Sequence, residues 1–463
     1  MRNGARGRIP RLLIPCLALF WCACGDPVER GIARIVEGGE GVEEARLELN
    51  MAKARAVEPL VRALDDRSLP VRARIDFVEA LYRLHLREEH PAILPALLRA
   101  VADPGPGVRA AAARALGNLR RPESVDPLLQ RLSVEEEPAM QGEILQALEL
   151  MCLDENRIDL SLFTASQVDS LTARLLRMGA VERPDSLDRE RREWLEVVAD
   201  HMATDAHQLY LAADAEGAES LLREALALVP GSLNIGQKLG RLYYESGERR
   251  RGLEHLAALG MVAAARPLPG PPAIDGRLDD PAWGGVEPIE EFYQCIHRLA
   301  PHPARGRAEA RLGYHGQTLY FAVKGYEEDT AGLVADATRR DSREIYKDDC
   351  IEIFLDTNHD SRSFFQFIIN SLGTVADDAD GAYGEGRSWS TQVEIATFVA
   401  DTFWVAEVAL PVAGLKGAAF APGDVWGFNI CRVRTGNASE YAQWVPTYGY
   451  AERPDRFGYL LFE

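Results

Sequence analysis

The sequence predicts a multidomain fold in which an all-α helical-repeat solenoid precedes an antiparallel β-sandwich. The 463 residues are too many for one ordinary hydrophobic core. Apolar residues follow a helical period over about the first 260 positions and a strand-like period after them. With 47% hydrophobic and 27% charged residues, the composition fits globular domains and argues against both wholesale disorder and a polytopic membrane protein.

Charge and cysteine spacing exclude some classes of partner and site. The formal net charge of −19 repels phosphate backbones, so no nucleic-acid partner is expected. After Cys24 only Cys152, Cys295, Cys350 and Cys431 remain, without a Cys-x-x-Cys pair, so no zinc or redox motif is present. Cys350 and Cys431 each lie in an apolar strand-like run, where the expected role is that of a small buried hydrophobic residue.

Residues 1–24 resemble an export signal. Four arginines precede an apolar run at 12–23, which is shorter than the roughly 20 residues that a membrane-spanning helix needs. Residues 21–25, Trp-Cys-Ala-Cys-Gly, are similar to a bacterial lipobox in which Cys24 is lipidated, although Trp21 stands where Leu is usual. A lipoprotein signal, a plain secretory signal and a retained anchor remain open. All three export the chain, so we expect a lipoprotein of the bacterial cell envelope, or a periplasmic or extracellular protein.

Residues 31–180 show internal similarity at a period of roughly 30–40 residues. Helices with a proline near the first turn, where the missing N–H costs nothing, are predicted at 58–64, 94–100 and 126–132. A second helix with a shared pattern follows twice, after 70 and after 107. These units resemble HEAT repeats, in which each unit needs its neighbours to bury its apolar face.

Residues 200–262 change to a tetratricopeptide-like pattern, with one helix predicted from Ala218 to Pro230 and a second unit around Gly240 and Gly247. Because so few repeats seldom stand alone, we expect them to continue the HEAT solenoid. The repeats either bind a protein partner or only support the domain that follows. Four prolines between 266 and 272 then predict a semi-rigid linker over 263–272, through which neither a helix nor strand pairing passes.

Strand-like runs separated by Gly, Asp, Asn and Pro turns fill residues 273–463, which predicts an antiparallel sandwich. Several runs alternate between apolar and polar residues, as sheets with one solvated face do. The runs lie at 307–314, 317–324, 350–355, 364–370, 392–399, 402–410, 426–434 and 457–462.

Five motifs in this region, in the same order, resemble those of family 9 carbohydrate-binding modules. They are the opening Ala-Ile-Asp-Gly-Arg-Leu-Asp-Asp-Pro-Ala-Trp at 273–283, Asp-Asp-Cys-Ile-Glu-Ile-Phe-Leu-Asp at 348–356, Phe-Gln-Phe-Ile-Ile-Asn at 365–370, Gly-Phe-Asn-Ile at 427–430 and Pro-Asp-Arg-Phe-Gly at 454–458. The resemblance implies a sugar-binding sandwich from a family that is often attached to glycoside hydrolases.

The resemblance also implies a site in which two aromatic rings sandwich a terminal sugar while a Glu, an Arg and amides bind its hydroxyls. Tyr346 falls where the first platform belongs, and Glu352 matches the hydroxyl-binding carboxylate. Ile368 replaces the family's Arg, Cys431 its Gln and Ala451 its second Trp. Specificity for glucose or cellobiose is therefore not expected to carry over, because the polar partners of the hydroxyls are lost.

Other aromatic residues are candidates for the missing platform. Tyr450 lies beside the gap at Ala451 and could supply a ring, as could Tyr448 or Trp444. Trp389 lies in a polar loop at 384–391, where exposure is expected. Glu352 has a second interpretation, as a polar residue that merely alternates outward from an amphipathic strand. The two other tryptophans within the family motifs, Trp283 and Trp426, are expected in the core.

Two cofactors, calcium and haem, are considered from the sequence. Asp356, Asn358 and Asp360 place oxygens at alternate loop positions, which suits calcium, although Asp and Asn also favour turns. A structural calcium ion is therefore a candidate cofactor. No haem is expected, because related sandwiches bind haem through methionine and lysine, and all seven methionines here lie at or before Met261.

The predicted function is that of a non-catalytic, extracytoplasmic carbohydrate-binding protein that supports polysaccharide capture or breakdown. No motif pairs two carboxylates across a cleft as glycoside hydrolysis requires, so the chain is not expected to be an enzyme. The expected partners are a glycan or polysaccharide and a protein on the repeats, with membrane contact only through a lipid anchor. The alternative is a helical-repeat scaffold for protein interactions whose sandwich no longer binds sugar.

Overall fold

The computed structural model describes residues 26–154, 157–158, 160–179, 185–294, 301–380, 386 and 388–463. The signal predicted at 1–24, with Cys24, lies outside these residues. The chain divides between Arg191 and Arg192 into two compact units. Across the described residues, no helix combines the length and the hydropathy needed to cross a membrane.

The first unit consists of helices that pack against one another along the chain, because each helix has an apolar face to bury. In α3, for example, Val57, Leu60, Val61 and Leu64 are buried on one side. The helices are α1 (Pro27–Glu37), α2 (Val42–Met51), α3 (Ala54–Asp65), α4 (Val71–Arg87), α5 (Ile93–Ala100), α6 (Pro106–Leu119), α7 (Val125–Val134), α8 (Pro138–Cys152) and α9 (Ala165–Gly179). A short hairpin, β1 (Leu153–Asp154) with β2 (Arg157–Ile158), follows α8.

Close helix crossing and buried ion pairs hold neighbouring repeats together. A side chain at Gly117 on α6 would come within 2.7 Å of the Ala147 backbone on α8, so this crossing needs glycine. The Arg74 guanidinium donates to the Asp103 carboxylate at 2.8 Å, and Asp103 is fully buried. Arg109 on α6 pairs in the same way with Glu135 after α7, with an Nε–Oε2 distance of 3.0 Å.

The second unit begins within α10 (Asp185–Leu211) and contains helices and the sandwich strands. Its remaining helices are α11 (Ala215–Leu228), α12 (Leu233–Glu245) and α13 (Arg249–Ala258). The strands are β3 (Val262–Pro267), β4 (Tyr293–Gln294), β5 (His302–Pro303), β6 (Ala308–His315), β7 (Thr318–Tyr326), β8 (Cys350–Asp356), β9 (Phe364–Asn370), β10 (Val375–Asp380), β11 (Glu394–Val399), β12 (Phe403–Pro411), β13 (Val425–Arg434), β14 (Glu440–Gln443) and β15 (Gly458–Phe462).

The strands form two facing layers. The first layer has the order β10-β9-β8-β13-β15, with β14, β4 and β5 continuing from β13, and the second has the order β6-β7-β12-β11. Side chains from both layers meet in one core; the Phe321 ring of β7, for example, stacks 6.0 Å from the Phe428 ring of β13. The predicted antiparallel sandwich is confirmed, apart from β3, which runs parallel to both of its neighbours.

Strand β3 corrects the interpretation of 263–272 as a linker. Residues Val262–Ala265 pair with β15, and Arg266 and Pro267 pair with β6, so β3 joins the two layers. Ala263 and Ala265 are buried in the core. The prolines do not prevent this pairing, because the first of them, Pro267, is the last residue of the strand, where a missing N–H donor matters least.

The helices predicted within 200–262 lie in the second unit, and their continuation of the HEAT solenoid stays a prediction. Helices α11 to α13 belong to the same compact unit as the sandwich. Leu256 of α13 and Met261 are part of the sandwich core, and the Tyr244 ring of α12 lies 5.0 Å from the Tyr459 ring of β15. The apolar faces of α12 and α13 are therefore buried against strands, and the tetratricopeptide-like character of α11 to α13 stays a prediction.

Candidate functional site

The outer face of the first layer is built around Glu352. Along β8, Ile351, Ile353 and Leu355 point into the core, so Glu352 points to the opposite face. Its cross-strand neighbours are Ile368 on β9 and Cys431 on β13. The two positions at which polar family residues are replaced therefore lie directly beside the carboxyl group. Glu352 itself is only 4% exposed.

A short turn before β8 carries Tyr346. Ile345 is fully buried in a small cluster that includes Ile368, whereas Tyr346, the next residue, is 51% exposed. Just after the turn, the buried Asp348 carboxylate accepts hydrogen bonds from Asn370 at 2.8 Å and from loop N–H groups. The turn is thus fixed to β9, and the Tyr346 ring is left facing solvent.

A second loop, after β14, carries Tyr450. Ala451 is fully buried in a cluster with Cys431, and Tyr450 is 69% exposed. The Thr447 hydroxyl donates to the Tyr450 carbonyl at 2.8 Å, and the buried Gln443 side chain accepts from the Thr447 N–H at 2.9 Å. Tyr346 thus follows Ile345, which packs with Ile368. Tyr450 precedes Ala451, which packs with Cys431, and Ile368 and Cys431 are the two cross-strand neighbours of Glu352.

Burial makes Glu352 an unusual carboxyl group. Desolvation, with the negative charge of Glu452 as a smaller cause, raises its pKa to about 8, against the opposing effect of two hydrogen bonds. Those bonds come from the Gln366 amide at 3.2 Å and the Tyr441 hydroxyl at 3.3 Å. Glu352 is consequently protonated at neutral pH, and a protonated carboxyl group can donate a hydrogen bond as well as accept one.

Two predicted ring contacts are not at the surface, which corrects the sequence interpretation. Trp389 is 8% exposed, and its ring lies 4.8 Å from Phe365 in the sandwich core. Trp444 is 4% exposed and lies 5.2 Å from Phe428 in the same core. Both rings fill space between the layers, so they are unavailable to a ligand. The burial expected of Trp283 and Trp426 is confirmed, as is that of Cys350 and Cys431.

In the candidate calcium loop, the side-chain oxygens accept hydrogen bonds from groups of the same loop. The Asp356 carboxylate accepts from the N–H groups of Asp360 and Ser361, and the Asp360 carboxylate accepts from Ser363 and from the Asn358 amide. Within the described part of the chain, no group of three or more His, Cys, Asp or Glu residues could hold a metal ion. In the structure these side chains form Asx turns, and a calcium ion at this loop stays a prediction.

Sequence reasoning missed Gln366 and Tyr441, the two donors to Glu352. Gln366 gave a usable signal, because it is a polar residue at an alternate position between Phe365 and Phe367 of β9. Tyr441 gave none, since β14 reaches the site only through its pairing with β13.

Two parts of the chain match known families. Residues 274–463 match the model described as carbohydrate family 9 binding domain-like, and residues 57–149 match the model for HEAT repeats. Both resemblances predicted from the sequence are therefore confirmed. A search of curated proteins found no significant match.

Two solved structures are among those to which the chain is similar. A family 9 carbohydrate-binding module from Caldicellulosiruptor kristjanssonii in complex with glucose is 18% identical, with 44% of this chain and 95% of that chain covered at a TM-score of 0.34. A family 9 module from the same organism in complex with cellotriose is 19% identical, with 44% and 93% covered at a TM-score of 0.33.

Proposed function

We propose that the sandwich binds a glycan on the face centred on Glu352. The observation that carries the proposal is the placement of two solvent-exposed rings, Tyr346 and Tyr450, beside the two strands that flank this carboxyl group. Aromatic rings stack on the flat C–H faces of pyranoses, and a carboxyl group of this kind can pair with a sugar hydroxyl. The family 9 match of residues 274–463 supports the same ligand class.

The glycan is expected to differ from the ligands implied by the family's polar residues. Ile368 and Cys431 are buried, and neither side chain offers a strong hydrogen bond to a hydroxyl. Ala451 is fully buried, so no ring stands at its position. Recognition therefore depends on Glu352 and on stacking, which favours a weak and broad preference over specificity for glucose or cellobiose.

In our proposal the chain is non-catalytic, because the matched family is one of binding domains. We further propose that it is extracytoplasmic and supports polysaccharide capture or breakdown. Lipidation at Cys24 would attach it to the cell envelope. Mass spectrometry of the mature N-terminus tests this part: a diacylglycerol on Cys24 that is lost in Cys24→Ser supports it, and an unmodified N-terminus on the wild-type protein contradicts it.

The alternative function is a scaffold whose HEAT repeats bind a protein while the sandwich has lost sugar binding. The apolar residues at Ile368 and Cys431, beside Glu352, favour this alternative. It predicts that no glycan binds, whatever is done to the two tyrosines.

Binding to an array of β-glucan, xylan and mannan oligosaccharides separates the two. Tyr346→Ala and Tyr450→Ala are each expected to weaken binding about fivefold to tenfold, since one platform contributes on the order of 1 kcal/mol. Val399→Ala removes an exposed side chain from β11 in the other layer and is the matched control. Binding that survives both tyrosine substitutions unchanged places the ligand elsewhere.

A further inference from the structure

One side of α12 hydrogen-bonds to the turn at Asp455 and Arg456. Asn234, Gln237 and Arg241 are spaced by three and four residues, which puts them on the same side of the helix. The Gln237 amide donates to the Arg456 carbonyl at 2.8 Å, and the Arg241 guanidinium donates to the Asp455 carbonyl. A helix side that faces another element is usually apolar. Here the side is polar, and its hydrogen-bond partners are the backbone carbonyls of Asp455 and Arg456.

The buried amide of Asn234 links α10 to the same turn. Its Nδ2 donates to the Asp200 carboxylate at 2.8 Å, and its Oδ1 accepts from the Arg456 guanidinium at 2.7 Å. Lys238 also pairs with Asp200 at 2.6 Å. Although burial opposes it, the charges of Lys238 and Arg456 hold the pKa of Asp200 below its usual range. Asn234 is fully buried and Asp200 is 4% exposed, so water competes poorly for these bonds.

The turn leads directly to the loop that carries Tyr450. The Arg453 guanidinium donates two hydrogen bonds to the Asp455 carboxylate, at 2.9 and 3.0 Å. The Arg453 N–H donates to the Ala451 carbonyl at 2.7 Å. A continuous set of contacts therefore runs from α12 through Asp455 and Arg453 to the residue beside Tyr450.

We propose that α12 positions the segment from Tyr450 to Arg453 through the hydrogen bonds of Asn234 and Gln237. The affinity of the candidate site for a glycan then depends on a helix that lies outside the sandwich and outside the matched family region. This inference rests on the proposed function, because Asn234 and Gln237 act on the ligand only through Tyr450.

Two variants of similar side-chain volume test the proposal. Gln237→Met removes the donor to the Arg456 carbonyl, and Asn234→Leu removes the bridge between Asp200 and Arg456. Gln237→Met leaves the buried ion pairs in place, so it is informative even when Asn234→Leu fails to fold. The matched control, Tyr243→Phe, removes a 3.2 Å hydrogen bond to Glu219 from another side of the same helix.

Hydrogen exchange at the backbone N–H of Arg453, measured on the full chain, decides the positioning role. We expect faster exchange in Gln237→Met and Asn234→Leu and unchanged exchange in Tyr243→Phe. Equal exchange in all four proteins overturns the proposal. Because this readout needs no ligand, it is independent of whether the site binds sugar.

Glycan affinity on the same oligosaccharide array tests the consequence. Loss of one hydrogen bond is expected to weaken binding about fivefold in the wild-type background and to have no effect in Tyr450→Ala. An equal loss in both backgrounds shows a general structural effect and overturns the route through Tyr450. A wild-type protein that binds no array glycan overturns the proposed function, and the exchange result alone then decides the positioning role.

Discussion

A fragment that begins at Ala273 is expected not to fold, because it lacks β3. The matched family region begins at 274, and the proline-rich stretch before it is where a domain boundary would ordinarily be drawn. The structure instead puts β3 between β15 and β6, as the strand that joins the two layers. Its removal would leave both neighbours with unpaired edges in the middle of the domain.

The size of the loss follows from the contacts of this segment. Met261 and Leu268, at its two ends, are 2% and 5% exposed. Their burial and three backbone hydrogen bonds together contribute about 8 kcal/mol, which is comparable with the whole stability of a typical domain. The three hydrogen bonds run from Tyr459 N to the Met261 carbonyl, from Leu268 N to the Tyr314 carbonyl and from Glu463 N to the Ala265 carbonyl.

Thermal unfolding followed by circular dichroism compares two fragments. Residues 185–463, which keep α10 whole, are expected to unfold cooperatively, and residues 273–463 are expected to show no cooperative transition and to aggregate. If both fragments unfold cooperatively within a few degrees of each other, β3 is dispensable and the reasoning from its pairing is wrong.

Three further predictions concern side chains of the sandwich. The folded protein holds a proton on Glu352, with a pKa of about 8 against an ordinary 4.5, so stability should fall as pH rises from 4.5 to 8. In Glu352→Gln, the decrease in the free energy of unfolding over this pH range should be smaller by on the order of 4 kcal/mol. Denaturant titrations at several pH values measure this decrease. An unchanged pH profile would contradict the protonated state. EDTA should leave the melting temperature unchanged. Asp360→Ala should lower the melting temperature with or without EDTA, because it removes the acceptor of the Ser363 N–H. A lower melting temperature of the wild-type protein in EDTA would show bound metal. Native protein should not be alkylated by maleimide at Cys350 or Cys431, which are fully buried, and peptide mass spectrometry that finds rapid modification there would show an open sandwich.

The sequence predicted the fold class because the two periodicities, helical and strand-like, each extend over many residues. The prediction of a linker at 263–272 was wrong. It relied on the four prolines, and the mostly small residues before them gave no clear strand pattern. Ala263, Ala264 and Ala265 have low strand propensity, so the pairing of β3 depends on the neighbours β15 and β6, which are distant in sequence. Such tertiary effects leave no local pattern.

The candidate site was predictable in part. Glu352 alternates with core residues of β8 and was predicted from its match to the family's carboxylate, whereas its position beside Ile368 and Cys431 comes from the strand register. The exposure of Trp389 was wrongly predicted, because a polar loop sequence does not reveal that one ring turns back into the core. The hydrogen bonds from Asn234 to Asp200 and Arg456 were also beyond prediction, since they join three segments far apart in the chain.

The ion pairs between HEAT repeats have a mechanical consequence. Arg74 with Asp103, and Arg109 with Glu135, are buried where dissolved salt screens charges poorly. The spacing between neighbouring repeats is therefore expected to hold when the surrounding ionic strength changes. Pulling two neighbouring repeats apart would have to separate buried opposite charges, which is costly, so these contacts are expected to oppose stretching of the repeat stack.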